Sequence, residues 1–492
     1  MSDVMGKSPY PARNHRILLG ISASWGVLGL ALNLLFSPDD WQATVGVLMM
    51  TQAFCIALSW RRLRETTEAL LPDFLTVFLL FQFLQKTITV LSILVQAYGA
   101  EMDAIAIVFD YMSDIENKYR WQAELVFFMG TLLFTLGWLL VEHCHRQKTE
   151  VREPPAHTLW GVYGFSMVLF LGIEISGFAA SVGAAYTLIR LLALGALAVL
   201  LGGRSRYALG RKLTWMPLLA LFPLFFFALR SGMKGEVVLV SLPVLLPIIR
   251  RLTLARMGLL LGFVLCVVLF IFPFSYEWRK ANWGHWGGTE NAGIGEVSSR
   301  VFSRWGADGV VTTAGEGSVE WLMRGSSANL GAIVMQIADR DGHIGGFLME
   351  GMVYIFIPRL LWPGKPMFLP GGWFTWYLGN ASSPETATSA SAMMLGTQMY
   401  WMYGILGVFI GMTLLGVLYA YCWKWLVGLS GKGPVLSAAL FAFLTSAIRL
   451  EEADVLSAIA GPITLVAYFY LFHQIQLLTL PQLSRLPAGA RS

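Results

Sequence analysis

Charged residues are scarce in this chain. Only 13% of its 492 residues are Asp, Glu, Lys or Arg, whereas 56% are hydrophobic and the mean hydropathy is +0.62. One soluble core cannot bury so large an apolar fraction, so the surplus must face lipid. The composition therefore excludes an ordinary soluble globular protein.

Cysteine is scarce as well, with four residues in the whole chain. Three of them, Cys55, Cys266 and Cys422, fall inside apolar stretches, where a thiol behaves as a small hydrophobic group. This excludes a disulfide framework. Cys144 lies between two histidines, but adjacent residues rarely converge on one ion, so the sequence predicts no metal site. The net charge of +5 is spread over short loops, which argues against a nucleic-acid partner.

Long apolar runs dominate the chain. Runs of roughly 20 residues are long enough to cross a hydrocarbon layer of about 30 Å, and the sequence predicts about twelve transmembrane helices in an all-α protein. No cleavage-site pattern precedes the first run, so we expect a first membrane helix there and not a removed signal peptide. The predicted spans are 17–36, 41–60, 69–97, 122–142, 159–178, 182–202, 213–229, 235–249, 257–276, 394–422, 433–448 and 455–475.

The positive charges predict the orientation of these helices. Lys and Arg gather in alternate connections, which the positive-inside rule assigns to the cytoplasm together with both termini. The predicted organisation is nine helices in 1–276, a large outer loop in 277–393, and three helices with a cytoplasmic tail in 394–492. The apolar stretch Gly345 to Leu361 would invert every later loop if it spanned, so we predict a re-entrant or interfacial segment.

Several cations remain on the predicted outer face, and orientation rules do not explain them. They form three pairs: Arg230 with Lys234, Arg279 with Lys280, and Arg359 with Lys365. Guanidinium groups pair bidentately with phosphate oxygens, and ammonium groups add point charge, so the three pairs favour a diphosphate ligand at the membrane surface. The alternative is that they only anchor helix ends.

Two further patterns leave alternatives open. The eight outer-loop tryptophans are typical of an interfacial belt and equally of platforms for sugar rings. Two ionisable residues inside apolar spans, Lys86 and Glu174, are expected either to pair with each other or to belong to a proton-coupled transport path. The tryptophans are Trp278, Trp283, Trp286, Trp305, Trp321, Trp362, Trp373 and Trp376.

The string from Ile357 to Pro366, Ile-Pro-Arg-Leu-Leu-Trp-Pro-Gly-Lys-Pro, resembles the Pro-Arg, Trp-Pro and Lys-Pro signature of the oligosaccharide repeat-unit polymerases, the Wzy-like O-antigen and exopolysaccharide polymerases. Arg324 precedes it at the expected distance, and Tyr400 to Gly416 resembles the family's late helix. The resemblance covers about 225–425. One departure is Gln398, which stands where the family pattern has an acidic residue.

The resemblance implies a GT-C-like membrane architecture and a glycosyl transfer reaction in the bacterial cytoplasmic membrane. A glycan would leave undecaprenyl diphosphate and join an incoming lipid-linked repeat unit, without metal or other cofactor. Membrane lipids would surround the chain, and a chain-length regulator (a polysaccharide co-polymerase) is an expected partner. The expected catalytic residues are Glu350, His343, Arg230 and Arg279, with Lys234, Lys280, Arg324, Arg359, Lys365 and Trp362 binding the diphosphate and the sugar.

The base that deprotonates the attacking sugar hydroxyl is the least determined part of this site. Glu350 lies in the apolar stretch, where partial burial would raise its pKa, and His343 titrates in a useful range. Two other functions stay open: an O-antigen ligase-type transferase, which uses a different acceptor, and a polysaccharide flippase or transporter. A flippase predicts charges spread over many spans and short loops on both sides, which this chain does not have.

Overall fold

The computed structural model describes residues 12–65, 71–98, 115–144, 154–176, 184–202, 216–232, 234–249, 254–282, 292–310, 312–313, 326–357, 362, 364, 370–384, 393–430 and 432–479. Within these ranges the secondary structure is helical, and no strand occurs. The helices are α1 (Ala12–Leu35), α2 (Trp41–Glu65), α3 (Phe74–Tyr98), α4 (Asn117–Cys144), α5 (Ala156–Ser176), α6 (Ala184–Gly202), α7 (Met216–Ala220), α8 (Phe222–Arg230), α9 (Lys234–Ile249), α10 (Leu254–Cys266), α11 (Phe272–Asn282), α12 (Ile294–Ala307), α13 (Ser327–Asp341), α14 (Met352–Ile355), α15 (Pro370–Tyr377), α16 (Leu395–Ser430), α17 (Pro434–Arg449) and α18 (Val455–Thr479).

Apolar helices coincide with all the predicted spans. Seven are long and apolar enough to cross a membrane: α2, α3, α4, α5, α16, α18, and the segment Gly262–Asn282, in which a π-helical turn joins α10 to α11. Five shorter apolar helices lie at Leu19–Leu35, Tyr186–Gly202, Met216–Arg230, Gly235–Pro247 and Pro434–Arg449. The prediction of an all-helical, multi-pass membrane protein is thus confirmed, whereas the count of twelve crossings stays a prediction.

The predicted outer loop is also helical where the structure describes it. It holds α12, α13, α14 and α15, together with a 3₁₀ turn at Gly345–Met349. The 3₁₀ turn and α14 are both short, so the apolar stretch after Gly345 forms no long helix in its described part. This agrees with a segment that does not span.

Helix α16 consists of two parts. Tyr403 and Gly404 have non-helical backbone angles, with φ of 65° at Gly404, so the helix is kinked between Leu395–Met402 and its longer remainder. A positive φ is accessible to glycine at little cost. The kink places the first part of α16 against the turn between α17 and α18, where the Leu395 amide donates to the Glu451 carbonyl at 2.8 Å.

Glycines bring the central helices into close contact. A Cβ added to Gly416 of α16 would lie 2.1 Å from the carbonyl oxygen of Phe134 in α4, and one added to Gly195 of α6 would lie 2.2 Å from that of Ala438 in α17. Small residues of this kind allow backbones to approach in a membrane, where packing and not the hydrophobic effect joins helices. These glycines therefore set the spacing of the helices around the site described below.

We expect Gly416→Ala to destabilise the protein by about 1–3 kcal/mol, because α4 and α16 would have to separate to admit the methyl group. Gly428 is a matched control in the same helix, since a Cβ there has no neighbour within 4 Å. Gly428→Ala should leave the melting temperature of the purified protein unchanged or slightly higher, because alanine favours a helix over glycine. Equal melting temperatures for the two variants would contradict the close contact of α4 and α16.

Candidate functional site

The turn between α8 and α9 carries the first predicted pair of outer cations. Backbone hydrogen bonds from Ser231 to Phe227 and from Gly232 to Leu229 close α8, and Gly232 has φ of 65°. Arg230, at the end of α8, is exposed, and its side chain has no hydrogen-bond or ion-pair partner among the described residues. We call residues 230–236 the Arg230 turn.

Helix α11 packs directly on this turn. A Cβ added to Gly232 would lie 2.5 Å from Cδ1 of Trp278, so the tryptophan ring covers the glycine. One residue later, Nε of Arg279 donates to the Gly232 carbonyl oxygen at 3.2 Å. The structure therefore brings Arg279 onto the turn that contains Arg230, although about 50 residues separate them in the sequence.

Glu236 joins two further arginines to the same turn. Its carboxylate accepts hydrogen bonds from Arg190 of α6 and, at 2.8 Å, from Arg449 at the end of α17. Arg190 and Glu236 are nearly buried, whereas half of the Arg449 side chain is exposed. We call Arg190, Arg230, Arg279 and Arg449 the arginine cluster, because each either belongs to the Arg230 turn or donates to it.

The charges around Glu236 do not balance. One carboxylate serves two guanidinium groups, and Nε of Arg190 is buried without a hydrogen-bond partner. Arg230 adds another positive charge that no described acidic side chain neutralises. An excess of guanidinium groups at one place favours a ligand with several negative charges, and their geometry suits phosphate oxygens.

The other predicted phosphate ligands are less well placed. Lys280 is exposed at the end of α11, and Trp362 is exposed in a segment of which little is described. The backbone of Lys234 begins α9, but its side chain lies outside the described residues. Arg324, Arg359 and Lys365 lie outside the described residues altogether.

His343 lies beside the kink of α16. Its ring meets Tyr400 edge to face, with 5.7 Å between centroids, and a Cβ on Gly404 would lie 3.3 Å from Nε2. The amide of the next residue, Ile344, donates to the Trp401 carbonyl at 3.1 Å and so attaches the backbone beside His343 to α16. His343 is thus exposed but held at a defined place.

The predicted burial of Glu350 is wrong. Glu350 follows the 3₁₀ turn, and its side chain is exposed, because the apolar side of the turn, represented by buried Leu348, faces the opposite way. No hydrogen bond or ion pair joins His343 or Glu350 to the arginine cluster among the described residues. The structure therefore does not assemble the whole predicted catalytic set.

Two other carboxylates of the predicted outer loop are already engaged. The Arg340 guanidinium donates two hydrogen bonds to Asp341 and the Tyr377 hydroxyl donates another, which together lower the pKa of Asp341 to about 2. Asp339 accepts a hydrogen bond from Tyr119 at 2.8 Å. A carboxylate with so low a pKa is a weak proton acceptor at neutral pH, so Asp341 is less suited than a free side chain to act as the general base.

An aromatic group lies against the first part of α16, where His343 also packs. Trp373 of α15 lies 5.6 Å from Trp401 and 5.3 Å from Tyr377, measured between ring centroids. Trp376 of the same helix is exposed. Trp305 instead packs against Phe270 and Phe302. Clustered aromatic rings beside an exposed tryptophan suit the flat faces of sugars, and they also suit a membrane interface, so both interpretations of the tryptophans remain.

A second ionic group lies deeper in the protein. The Lys86 ammonium of α3 is fully buried, 2.7 Å from Glu451 and 3.2 Å from Glu124 of α4. It also donates to Ser327 of α13 at 2.9 Å, and Ser327 donates in turn to Glu124 at 2.7 Å. We call Lys86, Glu124, Glu451 and Ser327 the Lys86 cluster.

The expected pairing of Lys86 with Glu174 is therefore wrong. Glu174 accepts a hydrogen bond from Tyr186 of α6 at 3.1 Å, and the partners of Lys86 come from α4 and from the turn after α17. The sequence pattern missed Glu124 because it stands at the edge of a predicted span, and Glu451 because it belongs to an acidic loop that was predicted to lie outside. Arg190 was missed as well, although a cation in the middle of an apolar run is the same signal that marked Lys86.

No protein-family model, no curated protein and no solved structure matches the chain. The fold and the site define an all-helical, multi-pass membrane protein with an arginine cluster at a helix turn. Any narrower activity must be argued from the residues.

Proposed function

We propose that this protein is a polymerase of lipid-linked oligosaccharides, a metal-independent glycosyltransferase that acts on the outer face of the bacterial cytoplasmic membrane. The observation that carries the proposal is the arginine cluster: exposed Arg230 lies in the turn whose Gly232 carbonyl binds Arg279 and whose Glu236 binds Arg190 and Arg449. A lipid diphosphate has the matching charge and carries it at the membrane surface. The resemblance of the string after Ile357 to the polymerases supports the same substrate.

In the proposed reaction, a hydroxyl group of the incoming repeat unit attacks the anomeric carbon of the growing glycan. The hydroxyl loses its proton to a base, and a new glycosidic bond forms. The bond from the anomeric carbon to the diphosphate oxygen breaks, and its electron pair leaves with undecaprenyl diphosphate. Guanidinium groups at the leaving oxygen stabilise the charge that develops there.

His343 is the better of the two proposed bases. Its ring is held between Tyr400 and Gly404 at the kink of α16, whereas Glu350 is exposed after a 3₁₀ turn. A base has to be positioned to within hydrogen-bond reach of the hydroxyl that it deprotonates, and a side chain held by packing meets this need better than a solvated one. Glu350 would then act in binding the acceptor.

The experiment that tests this function incubates the purified protein with undecaprenyl-diphosphate-linked repeat units and separates the products by length. A ladder of regularly spaced glycans identifies a polymerase. A single product that appears only when a different acceptor lipid is supplied identifies a ligase. Movement of unaltered substrate across a vesicle membrane identifies a flippase and would contradict the proposed reaction.

The proposed topology predicts the labelling of two exposed outer-loop positions. Ser303 lies on α12 and Ser382 follows α15, and both are exposed. With both termini in the cytoplasm, as the positive-inside rule requires, a single cysteine at either position should react with an impermeant thiol reagent in intact spheroplasts. A cysteine at Lys432, which is exposed in the predicted cytoplasmic connection after α16, should react only after lysis and is the control for leakage. If Ser303→Cys and Ser382→Cys both reacted only after lysis, the predicted topology would be wrong and the loop would face the cytoplasm.

Removal of divalent cations should leave the transfer rate unchanged, because arginines and not metal ions are proposed to neutralise the diphosphate. Among the described residues, no group of three His, Cys, Asp or Glu side chains could hold a metal ion. The measurement compares turnover with and without a chelator. A loss of activity that magnesium or manganese restores would show that the leaving group is neutralised by a metal ion.

A further inference from the structure

The Lys86 cluster contains more negative than positive charge. It has one ammonium group and two carboxyl groups, and both carboxyl groups touch the same ammonium. Lys86 and Glu124 are completely buried, and Glu451 is 7% exposed. With both carboxyl groups ionised, the interior of the helix bundle would hold an uncompensated charge, which is unfavourable in a region without water.

The hydrogen bonds of the cluster are also incomplete. Oε2 of Glu451 is buried and accepts no hydrogen bond, whereas Oε2 of Glu124 lies 3.2 Å from the Lys86 ammonium nitrogen. A proton on Oε2 of Glu451 would remove the excess charge and convert a bare acceptor into a donor. The cluster thus has the charge and the free oxygen atom that the binding of one proton requires.

Other titratable groups near the cluster do not supply the missing positive charge. Cys55 of α2 is within electrostatic range of Lys86 and Glu451, but a thiol cannot be a cation. Glu452, in the same turn as Glu451, is exposed and adds another acid. Arg449 is committed to Glu236. Ser327 and Thr89, which complete the hydrogen bonds on α13 and α3, are neutral.

We propose that the Lys86 cluster is a proton-binding site, in which Glu124 and Glu451 together hold one proton beside the Lys86 ammonium. Glu451 is the route by which the proton exchanges, because it is the only one of the three charged residues with exposed surface and it lies in the turn between α17 and α18. On binding, a carboxylate oxygen forms an O–H bond and the cluster becomes neutral. On release, the cluster becomes an anion.

This site is connected to the arginine cluster through a very short segment. Arg449, which binds Glu236, is separated from Glu451 only by Leu450, which is buried. The turn is held from both sides, by Lys86 and by the Leu395 amide. The Lys86 cluster and the arginine cluster thus share the segment from Arg449 to Glu451. The proposed proton site does not depend on the proposed transfer reaction.

Infrared spectroscopy of the purified full-length protein tests the proposal, because a protonated carboxyl group has a carbonyl stretching band that ionised carboxylates lack. Wild-type protein near neutral pH should show this band, and alkaline titration should remove it with an amplitude of one group per molecule. The variants Glu124→Gln and Glu451→Gln should each lose the titrating band, since one remaining carboxylate beside Lys86 is already neutralised. Glu296→Gln, which alters an exposed glutamate paired with Arg300, should keep it.

An unchanged titrating band in both cluster variants would place the proton elsewhere and overturn the proposal. Absence of any such band from the wild type would show that both carboxyl groups are ionised and would overturn it as well. Glutamine has nearly the same shape as protonated glutamate, so the variants should fold. If one of them does not, the other gives the same comparison. Because the assay contains no glycan, its result is independent of the proposed polymerase activity.

Discussion

Replacing Arg230 by alanine should slow chain extension by about ten- to one-hundred-fold, while the abundance and the melting temperature of the protein stay as in the wild type. The rate should fall because each hydrogen bond between a charged donor and phosphate contributes about 1.5–3 kcal/mol. The fold should survive because the Arg230 side chain is exposed and has no described partner to lose. Arg230→Lys should be intermediate, since it keeps the charge but loses the two-pronged geometry.

Arg300 provides the matched control for this prediction. It is a partly exposed arginine on α12 of the predicted outer loop, and it pairs with Glu296 one helical turn away. Exposed ion pairs of this kind contribute little to stability, so Arg300→Ala should retain both fold and activity. Full activity in Arg230→Ala at normal abundance would remove Arg230 from the site and, with it, the main argument for a diphosphate at the turn.

Replacing Lys86 by methionine should have the largest effect on folding. It leaves the carboxyl groups of Glu124 and Glu451 buried without a counter-ion, and breaking a buried ion pair in this way costs about 3–5 kcal/mol. The yield of monodisperse protein should fall sharply. Lys280→Met, which removes an exposed lysine, should have little effect.

The pH dependence of the melting temperature shows whether Lys86→Met destabilises the protein through the lost charge or through altered packing. Without Lys86, both carboxyl groups must take up protons to remain buried, and lowering the pH makes this uptake easier. The melting temperature of Lys86→Met should therefore approach that of the wild type as the pH falls from about 8 to about 5. A triple variant that also carries Glu124→Gln and Glu451→Gln should recover much of the lost stability. A deficit that is the same at all pH values would mean that packing, and not charge, explains it.

The helices could be predicted from the sequence because the membrane imposes a long apolar run on each of them. Apolar helices lie where the runs predicted spans, and the kink at Gly404 falls inside the predicted span 394–422. The pairing of helices could not be predicted in the same way. Contact between α4 and α16 depends on glycines such as Gly416. The sequence does not show which backbone lies opposite such a glycine, so its packing role cannot be predicted from it.

Two arginines of the candidate site could be predicted from the sequence. Arg230 and Arg279 stand outside the pattern of orienting cations, and the structure joins them through Gly232. Arg190 and Arg449 come from helices far apart in the chain, and only the fold shows that both reach Glu236. The prediction that Glu350 is partly buried was wrong. An apolar stretch that forms short helices still has an exposed side, and composition alone does not show which residues lie on it.

Binding of undecaprenyl diphosphate to the purified protein in lipid nanodiscs tests the central claim most directly, since it requires neither a sugar nor turnover. The wild type should bind this lipid, inorganic diphosphate should compete for the site, and Arg230→Ala should bind it at least about ten-fold more weakly while Arg300→Ala binds as the wild type does. Equal affinity of the wild type and Arg230→Ala for the lipid, or no binding by the wild type, would contradict the assignment of the arginine cluster to a lipid diphosphate.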